Sequence, residues 1–192
     1  MKARTDSEIE RIVREAFDAG DFQGAATQAI RGYGPRLLGY LVALSRDVES
    51  AREIFAQACE DLWRGLPKFR WESSLRTWAF TLCYHASCRE AETAWRRRVR
   101  RLATSEASRL AAEVASSSTS HRRALAKRLR EGLEPDDQTL LILRVHHELP
   151  WKDVSSVLGV DGATLRKRFE RIKARLRLNA AKLDAMESAR SG

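Results

Sequence analysis

Three groups of side chains in this 192-residue chain have the types and spacing for chemistry, and each asks for a different kind. Cys83, His85 and Cys88 are metal-ligand types close together. A structural zinc site closes with four ligands at recognisable spacings. No fourth stands nearby, so these residues read as small thiols and a ring on one helix. The second group is the stretch FRWESSLRTWAFTLCYHASCREAETAWRRRVR, Phe69 to Arg100, where closely spaced aromatics run into a knot of arginines. Single-stranded nucleic acid wants both, because its bases stack on rings while its phosphates draw cations. The third lies at residues 166–177, where Arg166, Lys167, Arg168, Arg171, Lys173, Arg175 and Arg177 face one acid, Glu170. The chain shows no glycine-rich phosphate loop, no paired-carboxylate motif and no nucleophile with an evident base. Its chemistry reads as binding rather than turnover, with no cofactor.

The charge is unevenly spread. Residues 1–60 hold 8 basic and 10 acidic side chains, so the rest of a chain of net charge +9 carries +11. A basic back half suits nucleic acid, and the acidic front implies a second partner. Hydrophobic residues at 43% and charged residues at 32% give the balance of a soluble globular protein. The charged opening MKARTDSEIE has no apolar signal-peptide core, no run approaches a membrane span, and three cysteines make no disulfide framework. The chain therefore reads as cytoplasmic, with no membrane role.

The elements that must position these groups are helices throughout. Ser7 and Glu10 have the spacing of a capping box ahead of an amphipathic helix through Phe17. AGD at 19–21 breaks it, and GYGP at 32–35 predicts a second interruption. From Ser50, the positions Ala51, Ile54, Phe55, Ala58, Leu62 and Leu66 form one apolar stripe. Arg52, Glu53, Gln57, Glu60, Asp61 and Arg64 lie opposite, and Pro67 ends the helix. In the aromatic stretch Leu75, Trp78, Ala79, Leu82, Cys83 and Ala86 share the core face. Arg76, Thr77, Phe80, Thr81, Tyr84, His85 and Cys88 are expected on the other. Periodicity leaves both a neighbouring helix and a ligand open as the partner of Phe80 and Tyr84. His146 and His147 read as surface and packing residues.

Residues 102–124, rich in Ala and Ser with the run Ser116 to Ser120, predict a flexible linker. Beyond Leu125 the sequence predicts a buried helix around Leu140, Leu141 and Leu143, a short helix opened by Pro150 and a turn at Gly159. A last helix is capped by Asp161, with Leu165, Phe169, Ile172 and Leu176 inside. Two helices joined by a short glycine turn are a helix-turn-helix, and the basic run sits at the start of its second helix. The fold class is all-α with two domains, an N-terminal helical bundle (1–101) and a C-terminal helix-turn-helix domain (125–182). A tail follows at 183–192.

In that order, the segments resemble an extracytoplasmic-function (ECF) sigma factor of bacterial RNA polymerase, over roughly residues 8–178. AGDFQGAATQAIRGYGPRLLGYL and LPKFRWESSLRTWAF resemble segments of its region two, and ELPWKDVSSVLGVDGATLRKRFERIKARLR resembles its region four. The resemblance implies core RNA polymerase as a partner, through the β′ coiled coil and the β flap, with Arg52, Glu53, Gln57, Glu60 and Asp61 on the docking face. It implies promoter DNA as the other. Arg70, Trp71, Ser73, Ser74, Arg76, Thr77, Thr81, Tyr84, His85, Arg96, Arg97 and Arg98 would serve a melted −10 element with a flipped base. Thr164, Arg166, Lys167, Arg168, Arg171, Lys173 and Arg175 would serve a duplex −35 element. A separate anti-sigma factor is a further partner such proteins commonly have. The sequence departs from the family pattern at Trp71 (often Gly), His85 (often Asn), Lys167 (often Ser), and Ala56 and Cys59 (usually Gln and Phe). The rival readings are a stand-alone helix-turn-helix regulator and a sigma-like interaction module.

Overall fold

The computed structural model describes residues 5–45, 47–101 and 133–190, without side chains at 94–101 and 182–190. Among the described residues every regular element is helical. The helices are α1 (Asp6–Asp18), α2 (Phe22–Ser45), α3 (Val48–Gly65) with a 3-10 turn at Leu66–Lys68, and α4 (Leu75–Arg101). A second group holds α5 (Pro135–Leu141), a π-helical turn at Ile142–His146, α6 (Trp151–Leu158) and α7 (Gly162–Arg190). The expected linker at 102–124 lies outside the described residues, and α7 runs on through the segment read as a tail.

The capping box of α1 begins two residues before the predicted pair. Thr5 accepts the Glu8 N–H at 3.3 Å, and the Glu8 carboxylate accepts the Thr5 N–H at 2.7 Å. Glu10 is taken by tertiary contacts, accepting from the Tyr33 hydroxyl at 3.2 Å and the Arg76 N–H at 3.1 Å. The interruption expected at 32–35 is absent, since α2 passes unbroken through Pro35. Proline removes one backbone donor, but Arg31 and Pro35 are both exposed, so the freed Arg31 carbonyl can meet water. The glycines serve close approach. A Cβ on Gly32 would lie 2.8 Å from an Ile9 methyl of α1, and one on Gly34 would lie 3.3 Å from the Phe55 ring of α3.

The predicted apolar faces meet in the core. Ile9 and Val13 of α1, Leu37 and Leu41 of α2, Ala51, Ile54 and Leu62 of α3, and Leu75, Ala79 and Cys83 of α4 are all buried. In the second group Leu140, Leu143, Val154, Val157, Leu165 and Ile172 do the same. Gly159 ends α6 at φ +65°, where a side chain would be strained. Asp161 then accepts the Thr164 N–H at 2.9 Å and starts α7, which completes the helix-turn-helix. Backbone hydrogen bonds from Thr164 and Ala163 hold the Asp161 carboxyl below its usual range.

The two groups touch. After the π-turn, Glu148 sits at φ 50°, and the chain presents His147 to the N-terminal bundle. The His147 ring packs on Phe80 at 4.7 Å and Tyr40 at 6.1 Å. Arg76 donates to the His147 carbonyl, and the Tyr84 hydroxyl donates to Asp136 at 3.2 Å.

Candidate nucleic-acid interface

The loop between the 3-10 turn and α4 is held at three points. Phe69 stacks on Trp78 at 4.7 Å and 23°. At the other end Ser74 caps α4, its Oγ accepting the Thr77 N–H at 3.0 Å. Between them Trp71 adopts φ 58°, the left-handed region that glycine enters freely and a bulky residue rarely does. That conformation costs about 1–2 kcal/mol. The ring recovers it, lying edge-on to Phe17 at 5.5 Å, against Phe69 at 5.0 Å and under the Arg14 guanidinium at 4.4 Å. Each such aromatic pair contributes about 0.5–1.5 kcal/mol beyond its burial. Arg70 and Glu72, on either side, point into solvent with 83% and 79% of their side chains exposed.

The residues expected to meet a melted strand divide into two sets. Arg70, Ser74 and His85 are exposed, and Ser73 is half-buried with its hydroxyl on the Ser74 carbonyl at 3.3 Å. Thr77 is a correction. Expected outside the buried stripe, it is 1% exposed, because its hydroxyl turns inward to Ser74 Oγ at 2.7 Å. Trp78, expected in the core, is only half-buried and lies over Gly65 and Phe69. Trp71 is likewise tucked against α1 rather than projecting. Thr81, half-buried, is bonded to the Thr77 carbonyl at 3.0 Å. The side chains of Arg96, Arg97 and Arg98 fall outside the described residues.

Arg76 and Tyr84 are committed to the second helical group. Besides the His147 carbonyl, Arg76 reaches Asp6 at 2.9 Å and keeps 21% of its side chain exposed. Burial pushes the Asp6 carboxyl up, but the Arg36 and Arg76 guanidiniums outweigh it and hold it below its usual value. Burial first, then Cys88 and Asp136, pushes the Tyr84 hydroxyl well up, so it stays a neutral donor. Phe80, for which periodicity left two partners open, has a neighbouring element as its partner, through His147.

On α7, Thr164, Arg166, Lys167, Arg171 and Arg175 are exposed. Arg166 lies over the Trp151 ring at 5.7 Å, a ring also met by Arg144 at 5.2 Å and by Phe169 edge-on at 5.5 Å. Lys173 pairs with Glu170 at 2.8 Å. Arg168 differs from its neighbours. It is ion-paired to Asp137 and lies 3.9 Å from Asp136, with 28% of its side chain exposed. Its guanidinium ties α7 to α5. Arg168, Arg171 and Arg175 share with Asp137, Leu133 and Ile172 a basic cavity of about 290 Å³.

The charged face of α3 is exposed as the periodicity predicts, and it is largely self-paired. Arg52 meets Glu49 at 2.7 Å, Gln57 meets Glu60 and Asp61 at 3.4 and 3.2 Å, Glu60 meets Arg64 at 2.5 Å, and Arg89 meets Asp61. Glu53 stands exposed on the same face. Exposed pairs of this kind contribute ~0–1 kcal/mol each, so a partner can displace them. Sequence reasoning missed Trp63, a 43% exposed aromatic one heptad on from Ala56. An apolar residue off the stripe was the available signal, and exposed aromatics are common anchors of protein interfaces.

Among the described residues no three His, Cys, Asp or Glu side chains converge as a metal site, and Cys59, Cys83 and Cys88 are free thiols. Cys83 is buried, which pushes its thiol well up, while His85 and Cys88 face solvent. No described helix is long and apolar enough to cross a membrane.

Residues 29–101 match the family model for Sigma-70 region 2. The chain is 24% identical to the RNA polymerase sigma factor YlaC of Bacillus subtilis (strain 168), over 79% of this chain and 90% of that one. Its fold is similar to the sigma factor RpoE crystallised with the anti-sigma factor NepR from Bartonella quintana. The TM-score is 0.59 at 19% identity, over 79% of this chain and 93% of that one. It is similar as well to CnrH in complex with the cytosolic domain of CnrY, with a TM-score of 0.61 at 20% identity, over 92% and 98%.

Proposed function

We propose that this chain is an extracytoplasmic-function sigma factor of RNA polymerase, with a division of labour among its helices. The observation that carries it is order along the chain, with the Sigma-70 region 2 match at 29–101 followed by a helix-turn-helix at 151–177. Residues 1–101 act as region two and 125–182 as region four, joined by the linker at 102–124. The exposed face of α3, with Arg52, Glu53, Gln57, Glu60 and Asp61 around Trp63, docks on the polymerase β′ coiled coil, and region four reaches the β flap. The loop Arg70 to Ser74 and the exposed edge of α4 at His85, continued by Arg96, Arg97 and Arg98, take the melted −10 strand. Arg76, Thr81 and Tyr84 join them once region four has moved away. Thr164, Arg166, Lys167, Arg171 and Arg175 enter or flank the major groove at −35, where arginine reads guanine edges and both cations hold phosphates.

The protein works by binding alone, in the cytoplasm, and fits a separate inhibitory partner of the kind seen with RpoE. Two modest DNA contacts tethered to one polymerase surface give affinity through effective concentration rather than through either contact alone. The test is co-elution of the purified chain with core RNA polymerase by size-exclusion chromatography, followed by run-off transcription on genomic fragments. A stable complex that initiates at discrete sites is expected. Failure of a folded chain to bind polymerase, or tight palindrome binding without polymerase, would overturn the proposal in favour of a stand-alone regulator.

A further inference from the structure

Locally the left-handed backbone at Trp71 is bracketed by an Arg70–Glu72 ion pair at 3.9 Å, but that pair is exposed and contributes only ~0–1 kcal/mol. The indole Nε1 of Trp71 is buried with no hydrogen-bond partner. What holds it there is the ring's seat between Phe17 and Arg14 of α1 and Phe69 of the loop itself. A strained conformation of this kind persists only where its surroundings over-determine it. Side chains alternate in direction around the seat. Trp71 turns in, while Arg70 and Glu72 turn out.

We infer that Trp71 is a positioning residue, a clamp that fixes the strand-capturing loop to α1 so that Arg70 and Ser74 already face the melted strand. The inference deepens the reading given under Proposed function and rests on it. It also gives α1 a task beyond packing, since Phe17 and Arg14 form the surface against which the loop is pressed. A glycine at 71 could adopt the same φ freely, but nothing would hold it there. The loop would then sample many paths and have to be ordered by the DNA at each encounter.

The test uses holoenzyme reconstituted from core polymerase on a fragment that supports run-off transcription with the wild-type chain. Its probe is a fluorescent single strand carrying that fragment's non-template sequence. W71G is expected to raise the Kd for this strand roughly tenfold and to slow permanganate-detected strand opening to match. W71F retains a ring in the seat and should stay within about twofold of wild type. R14A removes the cation over the ring, along with an exposed ion pair to Asp18 at 3.3 Å that contributes little, and should raise the Kd about threefold. Co-elution with polymerase is expected to be unchanged in all three. Amides 70–74 should exchange faster in W71G.

An unchanged strand Kd in W71G, or a loss in W71F as large as in W71G, would overturn the clamp. Should W71G fold poorly, R14A decides: a raised Kd at unchanged thermal midpoint supports the clamp, and an unchanged Kd refutes it. A wild-type chain that fails to initiate on any fragment refutes the sigma-factor assignment instead, so the two failures are distinguishable.

Discussion

Acid should loosen the grip of the helix-turn-helix group on α4, and His147 is the reason. Its ring is packed on Phe80 and Tyr40, and its carbonyl holds Arg76. Burial first, then the positive charges of Arg76, His146 and Arg36, push the imidazole from 6.5 down to about 4. The docked state thus prefers the neutral ring. Its contribution to docking is fully present above 6.5 and is lost as pH falls from there towards about 4. At about 1.4 kcal/mol per unit, the full shift would amount to roughly 3 kcal/mol. The ring is partly open to solvent, and screening cuts that to about half. Between pH 7 and pH 5 the docking equilibrium should therefore weaken by about 1 kcal/mol, or roughly fivefold.

Asp6 stays ionised in this window, because its carboxyl already lies below its usual value, so the neighbouring acid does not mask the effect. Small-angle scattering across the range would read the increase in radius of gyration as the helix-turn-helix group leaves. The His147 proton shifts in an NMR titration would give its pKa directly. The H147Q variant should abolish the dependence, and H146Q should retain most of it. A radius that ignores pH from 7 to 5, or the same dependence in H147Q, would refute the reasoning.

Other consequences can be measured on the same protein. G32A forces a methyl to within 2.8 Å of Ile9 and should destabilise the N-terminal bundle by about 1–3 kcal/mol in denaturant melts. G39A, with nothing within 4 Å of the added Cβ, should raise stability by about 0.5–1 kcal/mol as a helix-interior glycine is replaced. R168A and R171A should part company in the holoenzyme. R171A lowers the slope of promoter affinity against salt by about one and spares the thermal midpoint. R168A strands Asp137, whose side chain is only 17% exposed, and should lower the stability of the helix-turn-helix group by about 1–3 kcal/mol. A maleimide should label Cys88 well before the buried Cys83.

The helices themselves were legible, because a packed helix must repeat its apolar residues every three or four positions. Ala51, Ile54, Ala58 and Leu62 show this, as do Leu165 and Ile172. Asp161 and Gly159 were legible for a similar reason, since a cap and a left-handed turn admit few residue types. Readings failed where one local signal met a tertiary contact. Glu10 has capping-box spacing but is bound by Tyr33 and Arg76. The glycines of α2 look like breakers but make room for Ile9 and Phe55. Thr77 and Trp78 exchange their expected exposures because Ser74 draws Thr77 inward while Phe69 draws Trp78 over the loop. Arg168 looked like its basic neighbours, and only the approach of Asp137 from another helix sets it apart. The docking of the helix-turn-helix on α4 left one trace in periodicity, the off-stripe pair Phe80 and Tyr84, but nothing in a helical repeat encodes the π-turn that aims His147.

Arg76 is tied to Asp6 on one side and to the His147 carbonyl on the other, yet its Nε is buried with no hydrogen-bond partner. A buried donor left unmade costs about 1–3 kcal/mol, so the seam between the two domains carries a built-in weakness. Release and engagement then form one thermodynamic cycle. Under the proposed assignment, a polymerase surface that holds the helix-turn-helix group at a distance would raise the affinity of α4 for a melted strand by some factor. A strand that captured Arg76 would then loosen that group by the same factor, whichever event came first.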